Sequence, residues 1–165
     1  MKKVKKILAL VIMCAMMIGM TITVSAADYS ATITIEGIDS DVAVTYKQIV
    51  EPDITSTTGW KASDDAVEEA LATLETESIT DPIEAYVAAS EEARMEALAD
   101  IATSETGAAT ITVTSAGLYL INVTDNTGKY LYKPMVASVG FGYTEGVPTS
   151  IENTTVVAKK GAAQV

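Results

Sequence analysis

The sequence predicts a mainly β (α+β) fold, an Ig-like β-sandwich with a two-helix insertion between the second and third strands. Short runs near both ends alternate apolar and polar residues with period two and are parted by turn clusters. A middle stretch switches to helical spacing. Ahead of both stands an export leader, residues 1–26. Its removal leaves about 139 residues, the size of a single domain with one core.

In the leader, Lys2, Lys3, Lys5 and Lys6 precede the apolar run Ile7 to Val24, which closes on Ser25-Ala26-Ala27. Charge, then grease, then small residues is the order of a secretory signal peptide. The mature domain is expected over 27–160, with 161–165 as the start of a linker to a further domain.

Ala31, Ile33 and Ile35 alternate with Thr32, Thr34 and Glu36, a half-buried first strand. Gly37 to Asp41 is a turn cluster, and Val42 to Val50 is a β-branched second strand ended by Glu51-Pro52-Asp53. Ser63 then reads as a helix N-cap, with Val67, Ala70, Leu71 and Leu74 on one face. A second helix begins at Asp81-Pro82 and is expected to reach about Thr103. Val87, Met95, Leu98 and Ile101 form its inner stripe. Its carboxylates Glu84, Glu91, Glu92 and Glu96 face water, so they read as a solvated face and not as a catalytic acid pair.

Alternation returns in Thr110 to Thr114. Leu118 to Thr124 is the next strand, Asp125-Asn126-Thr127-Gly128 a hairpin turn, and Lys129 to Val139 the returning strand. The Asp125 turn lacks the regularly spaced oxygen ligands of a calcium loop. Glu145-Gly146-Val147-Pro148 turns again, and Ile151 to Lys160 reads as one final strand.

Composition excludes much chemistry. The chain has no histidine, and its one cysteine, Cys14, leaves with the leader. No Cys/His metal site, Ser-His-Asp triad or Cys-His pair is then available, and no cofactor is expected. The chain holds 11 Lys+Arg against 22 Asp+Glu; the leader's four lysines gone, 7 basic residues face 22 acidic ones, a net charge of −15. Such a surface repels nucleic acid and anionic membranes. The expectation is a non-enzymatic, exported protein.

Four segments carry a resemblance: Val44-Thr-Tyr-Lys-Gln-Ile-Val50, Ala116-Gly-Leu-Tyr-Leu-Ile121, Tyr132-Lys-Pro-Met-Val-Ala-Ser138 and Asn153-Thr-Thr-Val-Val-Ala-Lys-Lys-Gly161. In order and spacing they resemble the N-terminal domain of Gram-positive, sortase-assembled major pilins, the isopeptide-forming fimbrial backbone subunits. The resemblance implies a cell-surface or cell-wall location, other pilin subunits and a class C sortase as partners, and host surface ligands for the finished fibre. It also implies an acceptor lysine at the end of the domain, whose amine attacks a thioester held by the sortase. Lys160 occupies that place, with Lys159 second; Ala158-Lys159 stand where the family has Tyr-Pro.

The family's internal Lys–Asn cross-links make Lys47 and Asn153 the pair to consider, on the second and last strands. Lys47, however, alternates away from the apolar face of Val42, Val44 and Tyr46. No cross-link is expected in this segment. Asn122-Val-Thr and Asn153-Thr-Thr match the N-glycosylation pattern and read as ordinary strand polar residues. A different class of function, a ligand-binding adhesin module, would use a sheet face bearing Tyr119, Tyr130, Tyr132 and Tyr143.

Overall fold

The computed structural model describes residues 29–163. The expected signal peptide 1–26, with Cys14, and positions 164 and 165 of the expected linker lie outside the described residues. Strands dominate, and the described chain divides into two compact units.

The first unit takes residues 29–48, 102–142 and 150–163. Its first strand, β1 (Ala31–Glu36), buries Ala31, Ile33 and Ile35 and turns the intervening threonines outward. The strand that the alternation predicts is thus present, with its apolar side inward. β1 is the middle of three strands. On one side it pairs antiparallel with β5 (Thr110–Val113), Ile33 opposite Ile111. On the other it pairs in parallel with β11 (Thr154–Val157), Ile35 opposite Val156.

The second sheet of this unit is built on β6 (Gly117–Asp125). β8 (Met135–Val139) runs antiparallel to it from Gly117 opposite Val139 to Ile121 opposite Met135, and buries Met135, Ala137 and Val139. β7 (Tyr130–Tyr132) joins the far end of β6 at Thr124, and β12 (Lys160–Ala162) lies outside β7 as the edge strand. β2 (Val42–Pro52) flanks β6, and β4 (Glu105–Gly107) pairs with β2. The returning strand expected over Lys129 to Val139 is therefore two strands. Pro134, which has no N–H to give a ladder, lies in the break.

The turn between β6 and β7 is a carboxylate knot. Asp125 Oδ1 accepts from Thr127 N at 2.9 Å and Thr127 Oγ1 at 2.7 Å, while Oδ2 accepts from Lys129 N at 3.0 Å and Tyr130 N at 2.9 Å. These donors hold the Asp125 carboxyl below its ordinary range, the Thr127 hydroxyl foremost. Both oxygens serve the turn, as its hairpin reading requires.

The other unit takes Ile49–Ile101 and Tyr143–Thr149. Here the end of β2 pairs antiparallel with β3 (Trp60–Ala62), so a short strand precedes the helices. α1 (Asp65–Ala72) buries Val67 and Leu71 and packs on α2 (Pro82–Ala88), which buries Ile83, Ala85 and Tyr86. The cap of α1 is Asp64, not Ser63: Asp64 Oδ1 accepts from Val67 N at 2.9 Å, while Ser63 N is held by Ile49 O at 2.9 Å. Within the same unit, the Tyr143–Thr149 segment turns at Glu145 (φ 52°) and Gly146 (φ 82°), joining β9 (Phe141–Thr144) to β10 (Val147–Ile151).

The long second helix is broken. Ala89 is extended (ψ 158°), and Ser90 starts α3 (Glu91–Ala97) by accepting from Ala93 N at 3.1 Å. Arg94 explains why the break is stable. Its Nε donates to Tyr86 O at 2.7 Å and its Nη2 to Val87 O at 2.6 Å, with the guanidinium 4.8 Å from the Tyr86 ring centroid. A cation thus satisfies the last carbonyls of α2, which would otherwise need a continuing helix.

Two substitutions separate core from cap. Ile33→Ala empties a fully buried site and should cost about 2–5 kcal/mol. Asp81→Ala removes the acceptor for Ile83 N and Glu84 N and should cost about 1 kcal/mol. Denaturant unfolding followed by the single tryptophan, Trp60, checks both; equal losses would contradict the central place of β1.

Candidate functional site

The amine of Lys160 is held at the outer edge of the second sheet by three residues from two other segments. β12 brings it there, with Lys160 opposite Tyr132 and Ala162 opposite Tyr130 on β7. Lys133 N donates to Lys159 O at 2.9 Å and Ala163 N to Lys129 O at 2.9 Å, so the short edge strand is tied at both ends. The third residue, Asp39, comes from the loop between β1 and β2.

That loop is pinned along its length. At its start, Ala158 N donates to Glu36 O at 2.8 Å. Gly37 follows at φ +81°, where a Cβ would stand 3.3 Å from Ala158 O, so both the backbone angle and the space call for glycine. At its end, Asn126 N donates to Asp41 O at 3.0 Å and Asn126 Nδ2 to Asp41 Oδ1 at 3.0 Å. Between these ties Asp39 meets β7. Its N–H donates to Tyr132 Oη at 3.1 Å, and Tyr132 Oη donates to Asp39 Oδ2 at 2.9 Å.

The same Oδ2 accepts from Lys160 Nζ at 2.8 Å. The ammonium lies 4.1 Å from the Tyr130 ring centroid and 6.0 Å from that of Tyr132. Two aromatic faces and one carboxylate thus surround the cation. The hydrogen bond from Lys160, followed by that from Tyr132, lowers the Asp39 carboxyl from its ordinary 3.8. Asp39 in turn raises the Lys160 amine. The side chains keep 31% and 47% of their surface in water, so the pair orders the amine far more than it stabilises the fold.

The chemical consequence is an accessible primary amine with a defined direction. It is charged in the free protein, and an acyl acceptor must first give up a proton.

The other sequence-selected residues fall elsewhere. Lys159 is exposed and engages the sheet through its backbone. The stretch Ile151 to Lys160 is not one strand: β11 pairs with β1, whereas β12 belongs to the sheet of β7. Alternation from Thr154 through Val156 and Ala158 therefore does not orient Lys160, because the chain leaves one sheet and enters another at Ala158-Lys159.

Lys47 is half-buried on β2 and lines a cavity of about 360 Å³ with Tyr46, Gln48, Glu105 and Tyr119. Asn153 is exposed between β10 and β11, and its Oδ1 accepts from Thr32 N at 2.8 Å. Asn122 Nδ2, on β6, donates to Thr103 Oγ1, in the segment before β4, at 3.0 Å.

Within the first unit, Tyr119 does not share a binding face with Tyr130 and Tyr132. Tyr119 is buried, tilts against Tyr46 at 6.4 Å between centroids and donates to Ser115 O at 2.6 Å; burial pushes its phenol up to about 12. Tyr130 and Tyr132 are engaged with Lys160.

The sequence singled out Lys160 but not its partner Asp39, which lies 121 positions away. Its only local signal was membership of a turn cluster, shared with Ser40 and Asp41.

No protein-family model matches the chain, and comparison with curated proteins finds no relative. Among solved structures, the T6 backbone pilin of serotype M6 Streptococcus pyogenes, a protein of modular three-domain structure, is similar over 82% of this chain and 29% of that one. Its sequence identity is 15% and its TM-score 0.49. The chain spans less than a third of that pilin's length.

The pair has a predictable titration. A carboxyl lowered in the folded state contributes above its unfolded value and loses that contribution as pH falls through its folded value. A raised amine contributes below its unfolded value and loses that contribution as pH climbs through its folded one. Carbon-detected NMR should place the Asp39 midpoint below 3.8, and Lys160→Ala should return it toward that value. An Asp39 midpoint unmoved by Lys160→Ala would contradict the bridge.

Proposed function

We propose that this chain is the N-terminal part of a structural pilus subunit, exported by its leader and joined covalently to the next subunit through Lys160 by a class C sortase. One observation carries the reading: an exposed amine, at the place in the chain where pilin-like sequences carry their acceptor, is held in one direction on a sheet edge. The four pilin-like segments support it. So does the absence of histidine and cysteine after residue 26, which removes the usual nucleophile–base pairs and leaves a structural role.

In this reading residues 27–160 form the assembled portion, and 161–165 lead toward a downstream domain. The partners are other pilin subunits and the sortase, and the location is the cell surface. The sortase presents a subunit's C-terminal acyl group as a thioester; the Lys160 nitrogen replaces sulfur and an isopeptide bond results. Lys160 suits this better than Lys159 because its amine is directed by the fold.

Polymerisation with the cognate sortase tests the assignment. Lys159→Ala should give ladders on denaturing gels, and Lys160→Ala monomers; ladders from the double variant would remove this segment from the mechanism. No internal cross-link is proposed between Lys47 and Asn153. The mature protein should then have its unmodified mass, since an isopeptide would release ammonia and lower it by about 17 Da. A lighter species restored by Lys47→Ala would overturn this.

A further inference from the structure

We propose that Asp39 is the residue that orients the Lys160 amine and then takes its proton when a protein covers the site. This deepens the assignment of Lys160 as acceptor and rests on it.

The geometry supplies each requirement. Asp39 Oδ2 lies 2.8 Å from Nζ, so a proton can pass along an existing hydrogen bond. Tyr132 Oη donates to that same oxygen at 2.9 Å while accepting from Asp39 N at 3.1 Å, which sets the carboxylate's direction. Tyr132 is thus a positioning residue. Around the pair stand Tyr130 and Tyr132 from β7, with Asp125, from the adjoining turn, as a weaker like charge on Asp39.

Two states follow from one arrangement. In the free subunit, water reaches both side chains, and the charged pair over an aromatic ring is favoured. The amine is then directed but not nucleophilic. A docked enzyme excludes that water. Desolvation penalises ammonium and carboxylate together, and the neutral pair of amine and carboxylic acid gains relative to the ion pair.

The steps balance. One ammonium proton moves to Asp39 Oδ2, leaving a lone pair on Nζ. That pair attacks the carbonyl carbon of the sortase thioester, the N–C bond forms, and the C–S bond breaks with its electrons on sulfur. The second proton leaves nitrogen for the thiolate, the third remains on the amide, and Asp39 returns its proton to water when the enzyme departs.

The experiment compares full-length unaltered protein, Lys160→Ala, Asp39→Asn, Asp39→Glu and Tyr132→Phe. Polymerisation rates with the cognate sortase are measured from about pH 6 to about pH 10. In parallel, acetylation of Lys160 by N-hydroxysuccinimidyl acetate, a small reagent that leaves the site wet, is read by peptide mass spectrometry.

Asp39→Asn should slow polymerisation at neutral pH by about tenfold or more, with the rate recovering as pH approaches the lysine's own titration. The same variant should be acetylated faster, since its amine is no longer held as a cation. Asp39→Glu should recover part of the rate, and Tyr132→Phe should be slowed less than Asp39→Asn. Circular dichroism checks folding; if Asp39→Asn is unfolded, the Tyr132→Phe profile decides. An unaltered rate in Asp39→Asn, or a slowing by one factor at every pH, would sink the proposal while leaving Lys160 as acceptor. Normal ladders from Lys160→Ala would remove the acceptor assignment itself.

Discussion

The return of the C-terminal stretch to the first strand is the constraint on which the sheet-rich unit depends. β11 lies parallel to β1, Asn153 takes the N–H of Thr32, and Ala158 donates to Glu36. Without this return, β1 would expose one ladder edge, and the loop after it would have no anchor at Gly37. The cost is entropic. Partners 121 positions apart must be brought together before these bonds form, and closing so long a loop carries a loop-closure cost.

The same return creates the candidate site. β11 cannot continue straight, because its strand belongs to the sheet of β1; two residues later the chain enters the sheet of β7 as β12. That change of sheet carries Lys160 away from its sequence neighbours and sets it against Asp39 and two tyrosines. The carboxylate, the rings and the amine thus share one neighbourhood because two sheets share one chain end.

The cations of this acidic chain show how context divides one charge into different tasks. Arg94 is planar and multidentate, and it spends its donors on the carbonyls of Tyr86 and Val87, holding two helices together. Lys160 is a point charge on a flexible stem, held by one oxygen and a ring face, and it stays accessible. The first is structural by geometry. The second is chemically available by geometry.

Period-two alternation in Ala31 to Glu36 and Thr110 to Val113 was enough to define strands and their buried sides, because a pleated backbone imposes that period on any half-buried strand. Helical spacing, Asp81-Pro82 and the Asp125 turn were equally legible, since caps and turns are made by residues a few positions apart. Local reading failed where a partner outside the element competes with continuation. The helix expected to run on from Pro82 stops because Arg94 reaches back to cap it, and the strand expected from Ile151 to Lys160 splits because two sheets claim its halves. By itself the sequence determined the β class, the helical insertion and the acidic, histidine-free composition, all properties of composition and short spacing. Only the tertiary structure decided that Asp39 meets Lys160, because a contact across 121 positions depends on strand pairing, which no local pattern encodes.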